Sequence, residues 1–454
     1  MNPVTRRRFL KQSATGLVAL GSSAAAVSSV ASRATFAADN PADTVVLALV
    51  GAGGRGQAHA AGFTKLPGVI FKYVCDVAAD RRNAMFRELN KLQSKPAVPV
   101  GDIRQVLDDK DVHGVVIATP EHWHALATIW SCQAGKDVYV EKNPSLTIWE
   151  GRQMVEAARK YKRIVQVGFQ NRSAPYALTA REYLNSGKLG KVVHVKVYNM
   201  LSGGPWKLAA DADAPPELDW DKWLGPAEKV PYNSSRYRGW GDWYDYCGGA
   251  YSGDASHQLD LARMVLGDPP PPQSVYCAGG NYAFSSKRPT PELQVVTYDY
   301  PDMVMTCESC TFPPYMRKSN AEERMGNKFP FWPQNNERIE IYGTKQMMYL
   351  GRHGMGWQVL EGEGKVVAEE KGYFPDKWHQ PNFIDCIRSR KLPNGDIEQA
   401  DQSANLVHLA NIAYRVGNQH LVFDPKTRGF VSNDAANKLL KPAYREGYQV
   451  PEEV

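Results

Sequence analysis

One short run of this chain has the residue types and spacing that hold phosphates. Gly51-Ala52-Gly53-Gly54-Arg55-Gly56 matches G-x-G-x-x-G. In that pattern the first glycine permits a tight turn and the second lets the backbone approach a pyrophosphate. The third, Gly56, lets a helix pack closely on a strand. A helix opening there offers free N–H groups and the positive end of its dipole to phosphates. Asp76 follows Gly56 by 20 residues, at the end of the next expected strand. A carboxylate there accepts hydrogen bonds from adenosine ribose hydroxyls and repels a 2′-phosphate. The expected cofactor is therefore NAD in preference to NADP, a preference that the nearby Arg81 and Arg82 weaken. The competing reading is a glycine-rich structural turn.

Two further runs end strands of the same unit. They are Ala118-Thr119-Pro120-Glu121-His122-Trp123-His124 and Val140-Glu141-Lys142. Both fall at the carboxyl edge of the expected sheet, where open α/β folds bind ligands. Together with Gly51–Gly56 and the later His257-Gln258-Leu259-Asp260, they resemble the Gfo/Idh/MocA oxidoreductases. The resemblance runs from about Thr44 to the C-terminus. Pro215–Gly225 and Pro381–Ser389 look like the bacterial, signal-bearing branch of that family.

The resemblance implies hydride exchange between NAD(P) and a secondary alcohol or ketone on a sugar, polyol or related ring. It makes Lys142 and His257 the catalytic pair. Thr119, Pro120, His124, Glu141, Lys142 and Gln170 would border the cofactor, with Glu141 and His124 beside the nicotinamide. The chemistry suits the residues, because hydride transfer requires both partners to be positioned and one proton to be handled. A lysine partly desolvated beside other cations can exchange protons near neutrality. A histidine can share the same hydroxyl. Two positions depart from the family pattern. Asn143 stands where the family has proline after Glu-Lys. Gly253 stands where it has a carboxylate four residues before the histidine, while Asp254 lies three before it. Either Asp254 substitutes through a shifted turn or His257 works without a carboxylate from this segment.

The substrate side is expected to be sugar-sized. Arg172 follows Gln170 and would line the cofactor–substrate junction. Trp206, Trp240, Trp243, Tyr244 and Tyr246 cluster before Gly248-Gly249. Aromatic faces stack on pyranose C–H faces and are also ordinary core filler. Trp243 and Tyr246, with Arg172, Asp254 and His257, are the candidates for substrate contact. His122 reads as a structural neighbour. No metal site is expected.

These residues need elements to hold them. Buried-strand patterns at Thr44–Val50, Val69–Cys75, Asp111–Ala118, Asp137–Val140 and Ile164–Gly168 alternate with helical patterns. The helices are expected at about Gly56–Thr64, Ala79–Gln93, Ala125–Ala134 and Ile148–Tyr161. That alternation predicts a doubly wound parallel sheet of Rossmann type over 38–168. From 169 to 454 the pattern changes to alternating strands, interrupted by a helix at about Ser256–Leu266. The expectation is a mostly antiparallel open-sheet domain for substrate and oligomerisation. Helical period returns at Phe383–Ser389 and Gln399–Val416. The tail, with Phe423, Phe430 and Tyr444, is expected to pack back. An open sheet face often pairs with another copy, so a dimer or tetramer is expected.

Composition sets the remaining bounds. The chain has 454 residues and a formal charge of +6. Five positive charges (Arg6, Arg7, Arg8, Lys11 and Arg33) lie in the first 37 residues, which hold no acid, so the rest carries +1. Nothing in that balance calls for nucleic acid or anionic lipid. Thr5-Arg6-Arg7-Arg8-Phe9-Leu10-Lys11 resembles a twin-arginine export signal. A weakly apolar stretch follows, then Thr35-Phe36-Ala37 with small residues at −3 and −1 for cleavage. Residues 1–37 are therefore expected to be a signal peptide. The stretch is poor for a stable span, so no membrane segment is expected in the mature form, and the protein would be periplasmic or otherwise exported. Seven scattered cysteines do not make a disulfide framework.

Export bears on mechanism. Outside the cytoplasm no obvious pool of free NAD(H) exists, so the cofactor would stay bound through many turnovers. Either a second carbonyl substrate re-oxidises it, or a glycoside is transiently oxidised and cleaved with no net redox change, which would be a glycosidase. A third reading is a sugar- or nucleotide-binding module with degenerate chemistry.

Overall fold

The β-branched and leucine-rich run Val45–Val50 (β1) is buried in the middle of a six-stranded parallel sheet. The other strands are β2 (Val69–Cys75), β3 (Val98–Val100), β4 (Gly114–Ile117), β5 (Asp137–Val140) and β6 (Val165–Val167). This computed structural model describes residues 44–284 and 287–454, so the expected signal at 1–37, with Arg6 and Arg7, lies outside the described residues. The sheet order is β3-β2-β1-β4-β5-β6. Order reverses between β1 and β4, which opens a crevice at their carboxyl ends.

β4, β5 and β6 are buried throughout, as expected of parallel strands with both faces covered. The linking helices are α1 (Gly54–Phe63), α2 (Ala79–Leu92), α3 (Ile103–Leu107), α4 (His124–Gln133) and α5 (Ile148–Lys160). On one face Val115, Ile117, Val138 and Val140 pack with Leu126, Ile129 and Met154. On the other, Leu47, Leu49, Phe71 and Tyr139 pack with Phe63, Phe383 and Ile384. Each such large side chain contributes about 1.5–3 kcal/mol by leaving water. Phe383 and Ile384 come from a late helix, Asp376–Ser389, so the C-terminal part of the chain helps to build the first sheet's core.

A ten-stranded mixed sheet forms the second part. From edge to edge its strands are Lys365–Glu370, Gly356–Glu361, Met347–Gly351, Arg338–Gly343, Val192–Met200, Val304–Cys310, Leu293–Asp299, Ser274–Gly280, Leu421–Asp424 and Gly429–Phe430. Val192–Met200 pairs parallel with Val304–Cys310, and every other pairing is antiparallel. Helices Ser256–Val265 and Ile397–Arg415 cover one face, burying Leu259, Val265, Leu406 and Leu409 against Val197, Tyr298 and Ile339. Val193, Tyr276, Val295, Val304 and Val422 are left exposed.

Several elements differ from the sequence expectation. The late helix begins at Asp376, and Pro381 lies inside it. Proline removes one N–H of the ladder but leaves the flanking turns free to bury His379, Gln380 and Phe383. A π-helical turn, Tyr251–Ala255, precedes Ser256–Val265. Lys365–Glu370 is a strand that the pattern missed, because its residues are mostly exposed and show no apolar alternation. The tail's Phe423 and Phe430 pack ring to ring from two paired strands. All seven cysteines are free and buried. Among the described residues, no helix is long and apolar enough to cross a membrane.

Candidate active site

The glycine loop turns between β1 and α1 under tight steric limits. Gly51 has φ +93°, and a Cβ there would sit 2.6 Å from the Ala118 carbonyl oxygen. A Cβ on Gly56 would meet the Gly51 carbonyl oxygen at 2.0 Å. Gly53 and Gly54 face open space. No side chain caps α1, and its first turn carries no acid. The first N–H groups of the helix therefore point into the cleft, available to an anion. This cradle fits a dinucleotide pyrophosphate, and Gly51 to Gly56 are the residues that would hold it.

Asp76 stands at the end of β2. Its carboxylate accepts the Ala52 N–H at 2.7 Å and the Ala78 N–H at 2.8 Å, so it knits the glycine loop to the second strand. Burial raises its pKa against the pull of those two bonds. Arg81 shares this end of the cleft, with its guanidinium 4.9 Å from the Tyr237 ring centre. Arg82 points elsewhere, donating to the Asp76 carbonyl at 2.7 Å.

Glu141, just past β5, is the electrostatic hub. Arg55 donates to it at 2.8 Å and also grips Asp376 with two bonds, of 3.0 and 3.2 Å. His59 Nε2 lies 2.7 Å from the same Glu141 oxygen, and Gln170 donates to it at 3.3 Å. Burial would raise the Glu141 pKa, but Arg55 and then His59 outweigh it and hold the carboxylate well below the usual range. Arg55 thus leaves the glycine loop to tie β5 and the late helix together. A Cβ on Gly168 would sit 2.8 Å from this carboxylate, so its close fit explains the glycine after β6.

Lys142 follows Glu141 through a chain that continues into a cis Lys142–Asn143 peptide. Its Nζ donates to the Gly253 carbonyl, in the π-helical turn. His257, one turn further on, presents its ring to the same end of the cleft between Phe169, at 6.1 Å, and His353, at 5.5 Å. Burial, then Arg352 and Lys142, push the His257 pKa well below its ordinary value, so the ring is neutral near pH 7. Its Nδ1 has no hydrogen-bond partner among the described residues.

Asp254 bonds a cation and not His257. Its carboxylate meets Arg352 at 2.5 Å, and the Arg352 guanidinium also binds buried Glu337. Burial raises the Asp254 pKa, but Arg352 and then Lys142 prevail and hold it at about 2. Arg352 is fully buried, and it further donates to Gln258 and to the Asp254 carbonyl. The shifted turn therefore keeps a carboxylate near Lys142 and His257, acting on both through charge.

Asp76 and Arg81 at one end and Lys142 and His257 at the other border one cleft of about 550 Å³, with Asp254 and Arg352 outside its walls. Gly51, Gly53, Gly54, Arg55, Thr119, Pro120, Glu141 and Gln170 line it as well. Six expected residues stand apart from its walls, Gly56 and Asp254 among them. Arg172 is buried in ion pairs with Asp260, at 2.7 Å, and Asp268, at 2.9 Å, so it braces the fold and does not reach substrate. Trp243 packs under Arg236 and against Trp206, and Tyr246 packs on His122 and Trp223. Both belong to a satellite core. His124 is pinned between the carbonyls of Asn143, at 2.7 Å, and Thr119, at 2.9 Å, so it aligns the two loops that flank the cofactor position.

Other residues line the cleft without a sequence signal. Trp223, Tyr237 and Trp240 supply aromatic walls, and Arg324, His353 and Phe374 close the Lys142 end. His353 adopts φ 56° in a turn beyond Arg352, which no motif marks. The aromatic cluster was visible before Gly248, but only packing separates its wall residues from its core residues.

Comparison with known proteins agrees with this geometry. A family model described as oxidoreductase family, NAD-binding Rossmann fold, matches residues 45–169. Its companion, oxidoreductase family, C-terminal alpha/beta domain, matches 178–302 and 345–450. The chain is 26% identical over 227 residues to a levoglucosan dehydrogenase of Pseudarthrobacter phenanthrenivorans, covering 48% of this chain and 50% of that protein. It is 29% identical over 213 residues to a glycosyl hydrolase family 109 protein of Shewanella putrefaciens, covering 43% and 45%. The chain spans about half the length of the curated relatives it matches. The fold is shared with the WlbA dehydrogenase of Bordetella pertussis, solved with NADH and UDP-GlcNAcA, at TM-score 0.62 and 19% identity, covering 84% and 99%.

Proposed function

This chain belongs to the Gfo/Idh/MocA oxidoreductase family, and we propose that it moves a hydride between NAD(H) and a secondary alcohol or ketone of a sugar, polyol or glycoside. One observation carries the reading. Lys142 from the nucleotide sheet and His257 from the second part meet at one end of the cleft whose other end holds Asp76. When bound, the cofactor supplies the hydride acceptor or donor. The chain supplies the rest. Lys142 takes or returns the proton of the substrate hydroxyl. His257, neutral near pH 7, hydrogen-bonds the same oxygen and fixes its direction. Glu141, held ionised by Arg55, anchors the β5 end from which Lys142 projects.

We read Thr5–Lys11 as a twin-arginine export signal and 1–37 as its signal peptide, with 38–168 and 169–454 as the mature domains. The basic pair before a small-residue stretch supports this. The protein then acts outside the cytoplasm and keeps its cofactor as a prosthetic group. The exposed face bearing Tyr276, Val295 and Val422 supports pairing with further copies of the chain.

The test is the absorbance of the purified full chain in the reduced-nicotinamide band, before and after adding sugars. Nucleotide that co-purifies and changes redox state with a sugar supports the reading. Protein that leaves the column without nucleotide and turns over only with free NAD refutes the retained cofactor. A redox-neutral glycosidase is the second reading, favoured by the similarity to the glycosyl hydrolase family 109 protein. It predicts release of free sugar from a glycoside with no lasting change in that band.

A further inference from the structure

The cofactor cleft takes part of its wall from outside the nucleotide sheet. Trp123 and Trp130 line it from the sheet's own loops, and Tyr237, Trp240 and Tyr448 line it from beyond residue 200. All five rings are half-buried. The Asp76 N–H donates to the Val100 carbonyl at 3.2 Å, which brings Asp102 and Arg104 to the Asp76 end of the cleft. Tyr448 lies within electrostatic reach of Arg104 and Lys222, so it belongs to that end.

One outside segment is tied to the loop that follows Asp76. The Ala79 N–H donates to the Glu217 carbonyl at 2.8 Å, and the Asp219 N–H donates to the Val77 carbonyl at 3.1 Å. Ala78 and Leu218 thereby pair as an antiparallel bridge, and both pack with Trp223 in one small core. The Trp223 carbonyl accepts from Trp123 Nε1 at 3.0 Å and from His122 Nε2 at 2.9 Å. A Cβ on Gly225 would sit 2.3 Å from the Trp123 indole, so the segment lies tight on the turn before α4.

A second segment docks on the first. Arg445 donates to the Gly225 carbonyl at 2.8 Å, to the Asp221 carboxylate at 2.7 Å and to the Asp221 carbonyl at 2.8 Å. Further on, Val450 and Val454 are buried with Val115 and Ile117 in the core of the parallel sheet. Tyr448 stands between these two anchors, its ring 5.7 Å from that of Trp123, edge to face.

The cations of this end already have partners. Lys222 pairs with Asp219 at 2.7 Å and Arg104 with Asp102 at 2.5 Å, while Arg81 lies over the Tyr237 ring. What the two outside segments add is therefore aromatic surface. Adenine is flat, and a base stacks on an aromatic side chain without needing charge.

We propose that the two segments form a clasp on the adenosine half of the dinucleotide, that Tyr448 is a cofactor-binding residue, and that the clasp slows release of the nucleotide. The proposal rests on the dinucleotide reading of the cleft and supplies a physical cause for a retained cofactor. Opening of such closures commonly limits how fast a bound molecule leaves. Here opening breaks the ties of Glu217 and Asp219 to the loop after Asp76, or those of Arg445 to Gly225 and Asp221.

The experiment loads the full chain with NADH, follows its release by stopped-flow fluorescence during a chase with excess NAD, and titrates ADP-ribose calorimetrically. Tyr448→Ala is expected to release NADH about tenfold faster and to bind ADP-ribose about tenfold more weakly. Tyr448→Phe, which keeps the ring, should match the wild type in both. Arg445→Ala, which cuts the ties to Gly225 and Asp221 and keeps the ring, should also speed release. If Tyr448→Ala fails to fold, Arg445→Ala carries the test. Wild-type release from both Tyr448→Ala and Arg445→Ala overturns the clasp, and so does a Tyr448→Phe chain as fast as Tyr448→Ala. A wild type that binds neither NADH nor ADP-ribose overturns the dinucleotide reading itself, so the two failures are told apart.

Discussion

Lys142 and Asp254 are joined through a single peptide unit: the Lys142 ammonium donates to the Gly253 carbonyl, and the next residue, Asp254, is clamped by Arg352 at 2.5 Å. Two distant segments thereby fix the one flexible side chain that the chemistry needs.

Replacing Lys142 with Ala is expected to lower kcat by about 10²–10⁴, the usual worth of a positioned proton-transfer group. Nucleotide binding should persist, because the cradle at Gly51–Gly56 is untouched. Steady-state turnover paired with nucleotide titration checks this. Loss of binding with kcat intact would mark Lys142 as a ligand clamp and favour the binding-module reading.

Asp254→Asn removes the charge facing Arg352 but leaves Glu337 to pair with it. Breaking a buried pair outright costs about 3–5 kcal/mol, so the retained partner should hold the loss to about 1–3 kcal/mol. Turnover should fall as well, because the electrostatic balance around Lys142 and His257 changes. Thermal unfolding and kcat are the measurements. Unchanged turnover would show that His257 works without this carboxylate.

Asp76→Ser tests cofactor choice. Removing the carboxylate while leaving Arg81 at the same end of the cleft should raise the NADP-to-NAD ratio of kcat/KM tenfold or more. The variant also loses the carboxylate that binds the Ala52 and Ala78 N–H groups, so KM for NAD should rise. An unaltered ratio would move the discrimination to other residues.

Acid should destabilise the fold in a window set by its buried histidines. Burial lowers the His379 pKa from 6.5 to about 4 and the His408 pKa to about 3. A base with a depressed folded pKa takes up protons more readily when unfolded. Its contribution is therefore complete above pH 6.5 and lost as pH falls below it. His379 alone accounts for about 3 kcal/mol by pH 4. Glu141, held low in the folded state, adds loss below its unfolded value of 4.5. Denaturant midpoints between pH 8 and pH 4 measure the trend, and a flat profile across pH 6.5 to 4 would contradict it.

Much of the framework was legible in the residues alone. Runs of Val, Ile and Leu marked five of the six parallel strands, and Gly51, Gly53 and Gly56 named the phosphate turn, because those properties are local. Hydrophobic period and glycine sterics act within a few residues. Arg172, Trp243 and Tyr246 show where that reasoning stops. An arginine or aromatic side chain serves equally in a cleft wall or a core, and only the packing partners Asp260, Arg236 and His122 decide.

The sequence by itself determined the class of fold, the cofactor cradle and the residue types able to move a proton. The tertiary structure decided their relations. It brought Gly253 to Lys142, set Arg352 between Asp254 and Glu337, and sent Arg55 from the glycine loop to Glu141 and Asp376. Apart from Arg352–Glu337, 15 positions apart, each of these contacts joins residues many tens of positions apart, so it depends on how the two sheets meet and leaves no trace in local spacing.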